Sequence, residues 1–139
     1  MVQKKVPAAM EEKLISVVCI GEAARDQGKE ELQNQMNIVL KEVIDASSLV
    51  VTYEPEWAIS SNEGAEPATT ERVKESVASM KEVLSGLFPQ SNIPILYGGS
   101  VDASNIQSFL KESDVQGALV GSASLDSREF IQLINNAIE

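Results

Sequence analysis

The sequence predicts an α/β domain of four successive βα units with parallel strands, and three observations carry that prediction. Short apolar runs alternate with helical hydrophobic patterns along all 139 residues. The runs are apolar at successive positions rather than alternate ones, as expected of parallel strands covered by helices on both faces. Each run ends in a glycine or a carboxylate followed by a polar turn, and the carboxyl end of parallel strands is where α/β folds build their sites.

The first strand is expected at Ile15 to Ile20, closed by Gly21. Cys19 lies inside it and reads as a small buried hydrophobe rather than a nucleophile. The following "KEELQNQMNIVLKEVID" places Leu32, Met36, Val39, Leu40, Val43 and Ile44 on one helical face. A second strand, Leu49 to Tyr53, runs into "EPEWAISSNEGAEPATT", whose residues 60 to 70 form a polar loop. Beyond it Val73, Val77, Met80, Leu84 and Leu87 recur at spacings of four, three, four and three, the stripe of an amphipathic helix. The third strand, Ile93 to Tyr97, ends in Gly98-Gly99-Ser100, with Asp102 as N-cap of a short helix carrying Ile106, Phe109 and Leu110. The last, Gly117 to Val120, ends in Gly121-Ser122. Asp126 with Glu129 then starts a helix bearing Phe130, Leu133, Ile134 and Ile138.

Composition narrows the chemistry. With 11 basic and 21 acidic side chains the net charge is -10, which repels phosphate backbones and anionic lipid, so neither nucleic acid nor a membrane is expected as partner. No stretch is long and apolar enough to span a bilayer, and the amino terminus lacks a signal-type apolar run, so a soluble cytoplasmic protein is expected. A single cysteine excludes a disulfide within the chain, and the absence of histidine removes the commonest general acid-base group and metal ligand. Chemistry is left to carboxylates, lysines and backbone; no metal or cofactor is expected. No linker divides residues 1–139, which read as one domain.

Glu54 is the candidate base. A carboxylate at the tip of a buried strand, walled by Tyr53 and Trp57, is desolvated and becomes a stronger base; the bland alternative is a solvated loop carboxylate. Gly98-Gly99-Ser100 and Gly121-Ser122 let backbone approach a ligand and present N–H groups, as a phosphate cradle requires.

Four ordered motifs, "VVCIGE" at 17–22, "YEPEWAI" at 53–59, "LYGGSV" at 96–101 and "GALVGSASL" at 117–125, together resemble the carboxyl-terminal half of the triosephosphate isomerase family. The resemblance implies half of a (β/α)8 TIM barrel, a single (βα)4 half-barrel over residues 1–139, with "KKVPAAMEEKL" as the helix before the barrel's fifth strand. It implies interconversion of dihydroxyacetone phosphate and glyceraldehyde 3-phosphate, in glycolysis and gluconeogenesis, with Glu54 moving the proton. Pro55, Trp57 and Ile59 correspond to the hinge and apolar underside of a lid, Glu22 to the residue that holds the lid tryptophan open, and Tyr97 to the tyrosine that bonds the closed lid. Ser60, Ser100, Gly121 and Ser122 correspond to the phosphate site.

The chain also departs from the family. Ile59-Ser60-Ser61-Asn62 stands where Ile-Gly-Thr-Gly is usual, Gly121-Ser122 replaces Gly-Gly, and Glu54, Glu56, Glu63 and Glu66 crowd a region meant for a dianion. The family's lysine and histidine, which polarise the substrate carbonyl, belong to its amino-terminal half, and neither motif is present. A complete barrel takes about 250 residues. A half-barrel leaves two edges, Ile15 to Ile20 and Gly117 to Val120, and an apolar interior face unpaired. The expected partners are therefore a second copy closing eight strands, or a complementary amino-terminal half, with a triose phosphate as the small-molecule substrate. Alone the chain is expected to be inactive; the alternative reading is a noncatalytic, self-assembling half-barrel scaffold.

Overall fold

The computed structural model describes residues 2–59 and 62–138. Four strands, β1 (Ser16–Ile20), β2 (Leu49–Tyr53), β3 (Ile95–Tyr97) and β4 (Gly117–Ala118), form one sheet in the order β1-β2-β3-β4, every adjacent pair parallel. Five helices accompany them: α1 (Val2–Glu11), α2 (Lys29–Val39), α3 (Thr70–Leu87), α4 (Ile106–Glu112) and α5 (Ser127–Ile138). This is the expected α/β architecture of half a (β/α)8 barrel. The register aligns Ile20 with Tyr53 and Tyr53 with Tyr97, so Gly21, Glu54 and Gly98 follow side by side at one level.

Period-two alternation decides which face each strand residue serves. Val18, Ile20, Val51, Tyr53, Ile95 and Tyr97 face the helices and are buried, the last four completely. Against them α3 packs Val73, Val77, Met80 and Leu84 at the expected spacing. Each such side chain contributes about 1.5–3 kcal/mol by leaving water, so this layer holds the fold together. Thr69 caps α3, its hydroxyl accepting the Arg72 N–H at 3.2 Å.

The other face is largely uncovered, as the half-barrel reading expects and the parallel-sheet pattern by itself does not, although Thr52 at its centre is fully buried. Val17 is 47% and Leu119 37% exposed, and Cys19, expected to be buried, is exposed on the same face. The strands are apolar at most positions on both faces, Ser16 and Thr52 being the polar exceptions, because the fold requires two covering layers, and the described residues supply one.

Smaller departures have local causes. α2 ends at Val39, and Ile44, assigned to its apolar face, is 97% exposed. The helix closes at Leu40, whose N–H donates to the Met36 carbonyl at 2.9 Å, and further on the Asp45 side chain accepts the Ser47 N–H at 2.9 Å in an Asx turn that leads into β2. β1 begins one residue after Ile15, which is 73% exposed. β3 begins after Pro94, which has no N–H to give a ladder. β4 stops at Ala118, although the Leu119 N–H still donates to the Tyr97 carbonyl at 2.8 Å. Asp102 is not the N-cap of α4; Asn105 is. Asp102 instead organises the preceding turn by accepting the Ser104 and Asn105 N–H groups at 2.7 and 3.1 Å. Asp126 does receive the Arg128 and Glu129 N–H groups at the start of α5, yet of that helix's apolar stripe only Leu133 is fully buried, and Ile138 is 80% exposed.

Candidate functional site

Glu54 follows β2 directly, and its N–H donates to the Ile20 carbonyl at 2.8 Å, extending the ladder by one residue. That continuation keeps the strand's alternation, so its side chain turns to the open face while Tyr53 turns to the helices. Two glycines make room for it. A Cβ on Gly21 would stand 2.0 Å from the Glu54 carbonyl oxygen, and one on Gly98 would meet the Thr52 methyl at 2.7 Å and the Glu54 Cβ at 3.4 Å. The close approach of three strand ends around Glu54 thus depends on side chains that are missing.

The half-buried Glu54 side chain is the wall between two hollows. One, of about 200 Å³, also touches Ile59, Gly98, Gly99, Leu119, Gly121 and Ser122. The other, of about 570 Å³, runs along β1 past Cys19, Gly21 and Gln35. The expected wall of Tyr53 and Trp57 does not form. The neighbour that meets Glu54 is Cys19, whose thiol, exposed but partly desolvated against the strand, is pushed up to about 11 by that desolvation first and by the adjacent carboxylate second.

Tyr53 bonds instead to Glu22, the residue that the resemblance assigns to holding the lid tryptophan open. Glu22 is 1% exposed. Its Oε1 accepts the Tyr53 hydroxyl at 2.9 Å and the Arg72 Nη2 at 2.8 Å, and its backbone carbonyl accepts the Glu56 N–H at 3.0 Å. The Tyr53 hydroxyl is held well above its ordinary pKa, by burial chiefly and by the Glu22 charge in addition. Glu22 Oε2, Arg72 Nε and Trp57 Nε1 belong to the buried side-chain atoms that have no hydrogen-bond partner among the described residues, as does the Tyr97 hydroxyl.

Pro55, with φ of -65° as its ring dictates, leads into a 3₁₀ turn over Glu56–Ala58. Ala58 is fully buried, Trp57 and Ile59 partly. The Trp57 ring lies under the Arg25 guanidinium, 5.5 Å from its centroid, and Arg25 is ion-paired to Glu66, whose N–H donates to the Trp57 carbonyl. One of the crowded carboxylates is therefore matched by a cation that the sequence reading did not single out. Ser60, assigned to the phosphate site, lies outside the described residues.

Tyr97 is fully buried between Tyr53 and Phe109, with ring centroids at 6.2 and 4.4 Å. Burial raises its hydroxyl to about 12, the Ala68 backbone opposing only in part. Of the two phosphate turns, Gly121 and Ser122 are exposed at the head of a short turn, Ser122–Ser124, beside the smaller hollow. The Ser100 N–H, counted as a phosphate donor, is engaged by the Ala58 carbonyl at 3.0 Å. In this arrangement its main chain serves the loop.

Arg72 and Arg25 escaped the sequence reading because each acts on a residue far along the chain. Arg72 did carry a signal: a cation in the first turn of a helix opposes the helix dipole, and such a misfit asks for a partner.

The sequence model of the family described as Triosephosphate isomerase matches residues 1–137. Among curated proteins, the chain is 40% identical to the triosephosphate isomerase of Chlamydia abortus over 139 residues, covering 95% of this chain and 54% of that one. It is 38% identical to that of Caldanaerobacter subterraneus subsp. tengcongensis, covering 97% and 57%, and 37% identical to that of Mycoplasmoides gallisepticum, covering 96% and 56%. The chain spans about half the length of the curated relatives it matches.

Proposed function

The chain belongs to the triosephosphate isomerase family, and from that premise we propose that it carries the base and phosphate side of an isomerase site for triose phosphates. The observation that supports the reading is the smaller hollow, where Glu54 and the turns at Gly98-Gly99 and Gly121-Ser122, brought from three separate βα units, border one space. A phosphate seated at those turns places the substrate carbons against Glu54, which removes a proton from one carbon and returns it to the next. Glycine-lined backbone suits an anion because N–H dipoles need no side-chain charge. Pro55, Trp57 and Ile59 serve as the hinge and underside of a covering loop and Ser60 as a phosphate contact; Glu22 holds the loop's tryptophan in the open state and Tyr97 bonds the loop when it closes.

The developing enediolate charge needs an electrophile, and the chain has no histidine. In this reading a second set of four βα units covers the open face and pairs the free edges of β1 and β4, and where it is an amino-terminal half it also supplies that group. The units come from a complementary amino-terminal half, or from a second copy of this chain that closes the barrel without completing the chemistry. The exposed Val17 and Leu119 on that face also favour the second reading, a noncatalytic self-assembling scaffold.

The deciding experiment is an isomerase assay on the purified chain, with and without an amino-terminal half taken from a relative, with mass measured by light scattering in the same samples. We expect background turnover alone, oligomers rather than single chains, and turnover with the added half that Glu54→Gln abolishes. Turnover in the mixture that survives Glu54→Gln would remove the base assignment, and a monodisperse single-chain particle would remove self-assembly.

A further inference from the structure

Glu54 is bracketed by two residues that answer to Glu22. Tyr53, immediately before it, donates its hydroxyl to Glu22 Oε1 at 2.9 Å. Glu56, two residues after Tyr53's neighbour, donates its N–H to the Glu22 carbonyl at 3.0 Å. The backbone of Glu54 is thus stretched between two attachments to one buried residue. That residue carries a carboxylate and is 1% exposed, a burial that costs several kcal/mol for an uncompensated charge. The compensation comes from Arg72, whose Nη2 reaches Oε1 at 2.8 Å and the Gln27 carbonyl at 3.1 Å.

Arg72 is placed at a cost. It lies in the first turn of α3, where the helix dipole disfavours a cation, and its Nε is buried with no hydrogen-bond partner among the described residues. The other charged groups at this point are Lys29 at the start of α2 and Glu75 one turn along α3, both lining the hollow of about 160 Å³ that Glu22 and Arg72 share. Lys29 is paired to Glu82 at 2.7 Å, which leaves Arg72 as the cation bonded to Glu22.

We propose that Arg72 is a positioning residue for Glu54: it holds Glu22 in place, and Glu22 in turn fixes the residues on either side of the base. Arg72 touches neither hollow that Glu54 borders and acts only through Glu22 and Tyr53. The inference deepens the proposed function by naming what sets the base in position, and it rests on that reading for its catalytic meaning. Its physical content, that Arg72 controls where Glu54 sits, is read without any turnover.

Two reporters are built into the chain. Cys19 is its sole cysteine and faces Glu54, and Trp57 is its sole tryptophan, three residues beyond it. In Arg72→Met, Cys19 is expected to react at pH 8 with a small disulfide reagent at least threefold faster than in the unsubstituted chain, because a displaced Glu54 no longer opposes the thiolate. Trp57 emission and its quenching by acrylamide shift together with that change. Arg72→Lys keeps the charge and returns both reporters most of the way. The double variant Glu22→Gln with Arg72→Met matches Glu22→Gln alone, since the two act in series. Circular dichroism and cooperative urea unfolding establish that each variant is folded. A folded Arg72→Met with unchanged labelling and unchanged emission overturns the proposal, as does an effect additive with Glu22→Gln. Should Arg72→Met not fold, Arg72→Gln decides: labelling and emission unchanged from the unsubstituted chain overturn the proposal, and labelling at least threefold faster supports it. If these results hold and the isomerase assay fails, the positioning stands and the activity falls.

Discussion

The backbone N–H of Ser100 donates to the carbonyl of Ala58 at 3.0 Å, so the turn after β3 is joined by main chain to the segment after Glu54. A ligand can take that N–H only by displacing a bond worth about 1 kcal/mol net. Titration with inorganic phosphate, followed through backbone amide shifts, is expected to move Gly121 and Ala123 first. Ser100 moves later and together with the residues around Ala58. An early Ser100 shift with Ala58 and Ile59 still would show that the bond does not restrain the site.

Replacing Gly21 by alanine is expected to destabilise the chain by about 3 kcal/mol, because the new Cβ meets fixed backbone rather than a side chain that can turn away; it would stand 2.0 Å from the Glu54 carbonyl oxygen. Gly86, inside α3, has nothing within 4 Å of the corresponding position, and Gly86→Ala is expected to stabilise by about 0.5–1 kcal/mol through helix propensity. Urea unfolding of both variants checks the contrast. Equal effects would mean that the strand ends can move apart freely.

Cys19 is exposed yet is expected to be a slow thiol. With its pKa near 11 rather than the ordinary value near 9, the thiolate fraction at neutral pH falls about a hundredfold. Reaction with a disulfide reagent should therefore be slow at pH 7 and climb steadily toward pH 11. Glu54→Gln should speed it by less than tenfold, since burial is the larger cause and remains. A rate at pH 7 matching a free model thiol would contradict this placement of Cys19.

Both tyrosines of the chain are fully buried and hold their protons more tightly than free tyrosine. For Tyr97 the folded value of about 12 exceeds the unfolded value of 10. The stability linked to it is present below pH 10 and is lost as pH rises toward 12, at about 1.4 kcal/mol per pH unit. Absorbance at 295 nm should show no tyrosinate step near pH 10, and ionisation should coincide with loss of the near-ultraviolet dichroism of the fold. A step at pH 10 with the fold intact would be the contrary result.

Removing the Tyr53 hydroxyl takes a donor from a buried carboxylate, and Tyr53→Phe is expected to cost about 2 kcal/mol. The loss should exceed that of any exposed ion pair, such as Lys29–Glu82, whose side chains are 58% and 65% exposed, where about 0.5 kcal/mol is ordinary. Chemical denaturation of Tyr53→Phe beside Lys29→Met tests the ranking, which fails if the two lose equal stability.

What the sequence determined by itself is whatever depends on neighbours a few residues away. The apolar runs at Leu49–Tyr53 and Ile93–Tyr97, the second shortened to Ile95–Tyr97 by Pro94, the stripe from Val73 to Leu84 and the cap at Asp126 are set by periods of two and 3.6 and by local hydrogen bonds, so their elements were legible, as was the placement of Glu54, Gly98 and Gly121 just beyond strand ends. Only the tertiary structure decided which of the two apolar faces of the sheet is covered, and therefore that Cys19 stands open beside Glu54 while Tyr53 turns away. It alone decided that Glu22 is buried and bonded to Arg72, fifty residues further on, and that the Ser100 N–H is already engaged. A charge on a helix and a carboxylate at a strand end carry no mark of each other in sequence; their pairing arises when the layers of the fold close and leave a buried charge that has to be met.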